Sequence, residues 1–415
     1  MKRKARETLL AYLFLLPSFL VLGTFVFWPV GFSFVLSFFR WDFKNMRNPV
    51  FAGFENYAEI FRFQSLPSHS FAYSLIETLT VIAVCFAVVL SLYAFTKRPY
   101  LSTITVMVSA MCFWFATNYK ISTILVVVLL ALIYALLRNK AVFSKHGIGI
   151  SLITLLLIAL WIFFDKRIYT VVNFFLESRD KNLFIKAIYN TLYYVVLSVP
   201  TTIGLALIIA LLLNSNIKLR AFFRTAYFVP FVTSVVAISL VWRWIFDDAY
   251  GLLNYLLSFF KISKIAWLKD ERWTIPTIAI VSIWKTVGYD AVILLAGLQN
   301  IDKSYYEAAE VDGAKAWDKF LYITWPLLTP TTFFLLVVSL ISSFKVFTEV
   351  YVLYSGLPGP YNNSGMTMVY YVFDRFYVQQ RMGIACAAAY ILFAIILIFT
   401  ALQFWLSRRT VEYIS

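Results

Sequence analysis

Seven polar side chains able to bind a solute or carry charge lie inside stretches otherwise too apolar to hold them. Lys285, Tyr289 and Asp290 fall in one such stretch, and Ser339, Ser342, Lys345 and Glu349 in another. Charged groups inside apolar spans are costly and, where they occur, face a bundle interior or a wet cavity. The second set recurs at steps of three, three and four residues, which predicts a single helical stripe lining water or solute. Lys285 and Tyr289 share a face by their i, i+4 spacing, with Asp290 beside them. The chemistry on offer is binding rather than bond breaking. No Gly-x-x-x-x-Gly-Lys-Ser/Thr loop occurs to cradle a nucleotide, and no Ser, His and Asp set, paired-carboxylate scaffold or Cys/His cluster nominates an enzyme. Structural roles stand beside the pathway role: Lys345 with Glu349 as an intrahelical ion pair, and Lys285 as a cation reaching the outer interface. Because Asp290 and Glu349 match Lys285 and Lys345, the expected pathway carries no net charge and does not demand an anionic solute.

A second polar feature is Tyr306-Glu307-Ala308-Ala309-Glu310-Val311-Asp312-Gly313, a small-residue-rich helix between two apolar runs. Ala309 and Gly313 stand at i and i+4 and are expected to share a face that lets another surface approach the backbone closely. Glu307, Glu310 and Asp312 would ring that face with acidic contacts. An ordinary polar loop helix is the alternative.

The elements that must hold these residues are membrane spans. Of 415 residues, 61% are hydrophobic and 14% charged, well above the roughly 45 to 50% apolar content of a water-soluble domain. The formal charge of +15 sits in short clusters such as Lys97-Arg98 and Arg408-Arg409, the placement of bilayer-flanking cations, which argues against a nucleic-acid partner. Cys85, Cys112 and Cys386 all fall in apolar runs and, with only His69 and His146 available, indicate neither a disulfide framework nor a metal site. The charged start Met1 to Arg6 precedes an apolar run from about Leu9 to Phe39, longer than the roughly 7 to 15 residues of a secretory signal. It is therefore expected to be a retained first span, with Pro17 and Pro29 tolerated inside it.

On a ruler of about 20 apolar residues per span, spans are predicted near 11–38, 71–95, 101–118, 121–137, 148–164, 186–213, 225–246, 274–298, 327–353 and 383–406. Only Asn118-Tyr119-Lys120 separates the third from the fourth, so 101–137 holds two short spans or one interrupted one. Ten spans place both termini and the Glu307 loop on one side. Cation counts alone leave the orientation open, because Arg40, Lys44, Arg47, Lys166, Arg167, Lys181 and Lys261 offset the clusters assigned inside. The loops 247–273 and 354–382 carry turn residues and a possible short helix each.

The Glu307 stretch, followed by Ile323 and Pro326 with Trp325 in place of the usual Leu, resembles the cytoplasmic coupling loop of bacterial ABC importer permeases. The resemblance extends to Leu10–Phe43 with its Ser-Phe-x-x-Trp-Asp exit, Gly53 to Tyr57, Asn190-Thr191-Leu192 onward, Arg220–Phe246, Trp267–Gln299 and Met366–Phe404. These segments are most similar to the carbohydrate-uptake branch, the relatives of the larger maltose permease subunit and of glycerol-phosphate and oligosaccharide permeases. Between about 61 and 183 the resemblance stops.

That resemblance implies an all-α polytopic membrane protein with a six-helix permease core plus about four inserted spans. Residues 1–60 would hold the first core helix, 61–183 the insertion and 184–415 five core helices with the coupling loop 299–326. It implies a transport subunit without catalysis of its own, in the inner membrane of a prokaryote with both termini cytoplasmic. The implied partners are a second permease subunit, two ATPase subunits that bind ATP and Mg, an extracytoplasmic solute-binding protein and membrane lipid. Glu307, Ala308, Ala309, Asp312, Gly313, Ile323 and Pro326 would couple to an ATPase, and Tyr289 and the Ser343 neighbourhood match positions that contact sugar in the maltose relative. From the residues alone, an ion-coupled secondary transporter using Glu77, Asp290 and Glu349 as relays is the alternative.

Overall fold

The computed structural model describes residues 2–45, 47–79, 169–215 and 218–407. The predicted spans at 101–118, 121–137 and 148–164 lie outside these residues, as do Cys85, Cys112, His146 and Arg408-Arg409; of the predicted span at 71–95 only 71–79 is described, and it is helical. The chain divides into two compact units, residues 63–182 and the remainder.

In the larger unit, α1 (Lys2–Leu22) and α2 (Trp28–Leu36) join through a wide turn into a first span, Tyr12–Leu36. Four further helical segments are long and apolar enough to cross a bilayer: α5 (Leu183–Asn214), α9 (Glu271–Gln299), Ala316–Phe344 and α15 (Met382–Ser407). The smaller unit contributes α4 (Val171–Lys181), and α3 (Glu55–Ile60) follows the first span. About 56% of the apolar window of α9 is buried against 6% for the first span, so α9 is the axis on which the other helices assemble.

Two of the wide turns share a sequence cause. The Trp28 amide donates to the Gly23 carbonyl and the Trp325 amide to the Phe320 carbonyl, each five residues back, and in both places a proline follows. A proline ring collides with the carbonyl four residues earlier and offers no N–H, so widening the preceding turn removes the collision. The second of these turns, Phe320–Thr324, links α11 (Ala316–Lys319) to α12 (Trp325–Phe344). Pro330 would strand the Pro326 carbonyl inside α12, and the Thr329 hydroxyl donates to it.

Two predicted spans are broken. The run at 225–246 forms α6 (Arg220–Val232) and α7 (Val235–Ile245), which meet at 100°. Pro230 weakens the end of α6, the Thr233 hydroxyl competes for the Val229 carbonyl at 2.9 Å, and Thr233 and Ser234 turn extended. The run at 327–353 stops at Phe344 because the Val346 carbonyl, needed by a continuing helix, accepts from the buried Thr367 hydroxyl at 2.9 Å. The short α13 (Thr348–Leu353) follows.

The connecting loops contain α8 (Leu252–Phe259) and α14 (Met368–Phe373). After the first span, β1 (Phe39–Arg40) pairs antiparallel with β2 (Val50–Phe51). The Trp41 carbonyl accepts the Met382 and Gly383 amides, and Glu59 pairs with Arg381 at 2.6 Å, which ties the first span to the last.

Within the smaller unit, the Gln64 amide donates to the Lys181 carbonyl at 3.0 Å and the Val171 amide to the Thr78 hydroxyl at 2.8 Å. Glu177 accepts from the Ser68 amide and hydroxyl, the Lys181 ammonium and the Tyr169 hydroxyl. Burial alone would raise its carboxyl, but these donors hold it down to about 2. The clasp therefore stays charged through the physiological range.

Candidate functional site

Two apolar clusters divide the larger unit along its helices. One gathers Phe184, Val199, Ile278, Phe344 and Ala387, the other Ala206, Leu213, Ala291, Leu298 and Leu335. Between them small polar residues replace the apolar ones, at Ser198 and Thr202 on α5 and at Ser282, Thr286, Tyr289 and Asp290 on α9. They wall a cavity of about 440 Å³, a size typical of small-molecule sites. The end of α12 and the start of α13 close it with Ser339, Ser342, Ser343, Lys345 and Glu349.

Seven of the eight pathway candidates thus come together, but not as one stripe. Lys345 caps the C-terminus of α12 and Glu349 belongs to α13, and the two form no ion pair with each other. The cation acting electrostatically on Glu349 is Lys285. Lys285 itself is not part of the cavity wall: its ammonium donates to the Phe231 carbonyl at 2.8 Å and lies 5.2 Å from the centre of the Phe231 ring. That carbonyl is one of those left open where α6 breaks, so Lys285 caps the helix end, where a cation also meets the negative pole of the helix dipole. Phe231 then stacks on Tyr289 at 4.3 Å with ring planes 13° apart.

Lys285→Met is therefore expected to leave the Phe231 carbonyl unpaired and to cost about 1 to 3 kcal/mol of stability, read as a lower unfolding temperature of the purified chain. Lys285→Gln, which keeps a donor, should lose less. Equal midpoints for Met and wild type would refute the cap.

Three wall atoms are buried without a hydrogen-bond partner: the Ser198 and Ser282 hydroxyls and Asp290 Oδ2. Asp290 as a whole is only 3% exposed. Unpaired buried polar atoms are rare enough to need an explanation, and a polar solute would supply one. Of these residues Ser198 and Ser282 escape a search for charged intruders, although Ser198 with Thr202 and Ser282 with Thr286 are i, i+4 pairs in apolar runs. That periodicity is the signal for them.

The Glu307 loop folds as α10 (Lys303–Val311), capped by the Asp302 carboxylate, which accepts the Ser304 amide at 2.9 Å. The helix stops before Gly313. Asp312 is its C-cap, bonded to the Ala308 carbonyl, and Gly313 takes a left-handed φ of +76° while the Ala314 amide returns to the Ala309 carbonyl. Gly313 therefore does not extend a small helical face with Ala309; it makes the left-handed turn that ends the helix, a conformation other residues resist. None of α10 is buried, and Val311 is 88% exposed. The loop is nevertheless held. The Tyr306 and Thr324 hydroxyls hydrogen-bond at 2.9 Å, and Glu310 pairs with Lys319 at 2.6 Å. Ile323 lies in the wide turn beside this tether, and Pro326 at the first turn of α12.

A family model described as binding-protein-dependent transport system inner membrane component matches residues 202–412. The chain is 39% identical over 229 residues to the probable ABC transporter permease protein YesP of Bacillus subtilis (strain 168), covering 54% of this chain and 72% of YesP. It is 36% identical over 231 residues to the lactose transport system permease protein LacF of Rhizobium radiobacter, covering 55% of this chain and 77% of LacF. A solved bacterial alginate ABC transporter in complex with an alginate pentasaccharide-bound periplasmic protein matches with a TM-score of 0.51 at 26% identity, over 72% of this chain and 98% of the matched chain.

Proposed function

The chain belongs to the family of binding-protein-dependent transport system inner membrane components, and from that premise we propose that it is one of two permease subunits of an ATP-driven saccharide importer. Membership in this family does not favour ion coupling. In this reading a solute-binding protein outside releases a saccharide into the cavity between the apolar clusters. Two ATPase subunits, which bind ATP and Mg, close on the other side and hold α10 in a groove. Both termini lie on the α10 side, in the cytoplasm of a prokaryote.

One observation carries the mechanism. The helical segment Ala316–Phe344 is tethered to α10 at its start through Thr324 and Lys319, and walls the cavity near its end with Ser339, Ser342 and Ser343. At 1.5 Å per residue it spans ~43 Å. A displacement of α10 by a closing ATPase pair is thus delivered to the solute chamber by a single rigid element. Glu307, Ala308, Ala309 and Asp312 supply the docking surface, Gly313 fixes its end, and Ile323 and Pro326 shape the wide turn within the rod beside the tether.

Purified by a tag on this chain, the assembly should contain a second permease and two ATPase subunits. In vesicles it should take up a saccharide only with ATP and the binding protein. Replacing both tethers, Tyr306→Phe with Lys319→Met, removes a hydrogen bond worth about 1 kcal/mol and a partly exposed ion pair worth less. Uptake should fall about tenfold while the ATPase subunits remain bound. Uptake in the absence of ATPase subunits would overturn the proposed class, and undiminished uptake by the double variant would overturn the rod.

A further inference from the structure

The charged groups of the cavity wall are two carboxylates and one ammonium: Asp290, Glu349 and Lys345. Lys285 donates to the Phe231 carbonyl from outside the wall and acts electrostatically on Glu349, which leaves Asp290 as the carboxylate with no cation acting on it. Neither carboxylate forms an ion pair with a described residue. Asp290 is the deeper of the two, only 3% exposed, and its Oδ2 is buried without a hydrogen-bond partner in the same wall that carries the unpartnered Ser198 and Ser282 hydroxyls. An ionised carboxylate accepts hydrogen bonds and donates none, so this corner offers a bound solute an acceptor and an uncompensated negative charge. A second carboxylate or a phosphate brought there would face like charge at low dielectric, which is strongly unfavourable. Hydroxyl and ammonium groups would find the acceptor they need.

Resting on the saccharide-importer reading, we propose that Asp290 is a charge filter within the chamber: it accepts hydrogen bonds from hydroxyl or amino groups of a neutral or amino-bearing saccharide and bars saccharides that carry carboxylate or phosphate. Selection at this point acts after any choice made by a binding protein. It separates the chain from the structurally similar bacterial ABC transporter involved in the import of the acidic polysaccharide alginate.

The test uses the full chain in nanodiscs and three probes of equal ring number, all at neutral pH, where the carboxylates are ionised and the sugar amines largely protonated: the glucosamine disaccharide, cellobiose and digalacturonate. Saturation-transfer NMR with competition titration ranks them. The expected order is glucosamine disaccharide, then cellobiose, with digalacturonate at least about tenfold weaker than cellobiose. Asp290→Asn, which keeps shape and replaces the charge by an amide, should weaken the glucosamine disaccharide about tenfold and admit digalacturonate. Asp290→Glu should restore the wild-type order, which a merely structural role for Asp290 would not produce. Digalacturonate binding to the wild type as well as cellobiose, or an unchanged order in Asp290→Asn, overturns the filter while leaving the importer reading intact. Binding of none of the three overturns the saccharide chamber and the filter with it.

Discussion

Gly288→Ala is expected to abolish the assembled fold of the larger unit. A methyl group at Gly288 would stand 1.8 Å from the Tyr227 carbonyl oxygen and 2.5 Å from its carbon, both main-chain atoms of α6 that cannot rotate away. Close approach through small residues is how helices associate in lipid, where no hydrophobic force drives them together. Separating α6 from α9 far enough to admit the methyl would also pull Phe231 off Tyr289 and its carbonyl off Lys285. Overpacking typically costs about 1 to 3 kcal/mol, and a main-chain obstacle places this change at the upper end or beyond. The matched control is Gly204→Ala on α5, where nothing lies within 4 Å of the added carbon. That change should be neutral or stabilising by about 0.5 to 1 kcal/mol. Yield from the membrane and the unfolding midpoint read the difference. Indistinguishable behaviour of the two alanine variants would refute the close contact.

Glu307→Arg is expected to remove the ATPase subunits from the purified assembly while leaving this chain folded. Glu307 is exposed on a helix that buries nothing, and one turn away Val311 is almost fully exposed. An apolar side chain and a carboxylate displayed together with no intramolecular partner fit a surface completed by another protein. Reversing a charge that becomes buried and paired on assembly costs about 2 to 5 kcal/mol, a roughly 30-fold or greater loss of recovery. An unchanged unfolding midpoint separates lost docking from lost fold. Full recovery of the ATPase subunits would remove α10 from the interface.

The spans of the larger unit are legible in the sequence because bilayer thickness imposes a length that composition reveals. The first span, α5, α9 and α15 all begin and end close to the predicted limits. What periodicity could not show is where a tertiary contact interrupts a helix. Nothing in the run from Pro326 to Leu353 announces that Thr367, far along the chain, captures the Val346 carbonyl and starts a new helix at Thr348. The supposed stripe thereby becomes two elements that still face one chamber. Likewise, spacing put Gly313 on the face of Ala309 because counting by four assumes the helix continues. The residue's freedom to adopt positive φ instead marks the end of the helix. Charged intruders led to the chamber but misassigned Lys285, whose partner is a main-chain carbonyl exposed only by the bend at Thr233 and Ser234. Such a partner leaves no trace in residue types.

The clasp of the smaller unit bears on how much change the stretch it closes can tolerate. Where the Gln64 amide meets the Lys181 carbonyl, the polypeptide departs and returns at one point, and the bonds of Glu177 and Thr78 fasten the neck just beyond it. For a chain joined at its neck, closing a loop twice as long adds only about 0.6 kcal/mol of entropy. Selection can therefore lengthen, replace or erase the stretch between these residues while the flanking helices keep their register. In genetic terms the neck marks where a change of length would be least costly to the flanking helices. The family match from residue 202 onward lies entirely beyond that boundary.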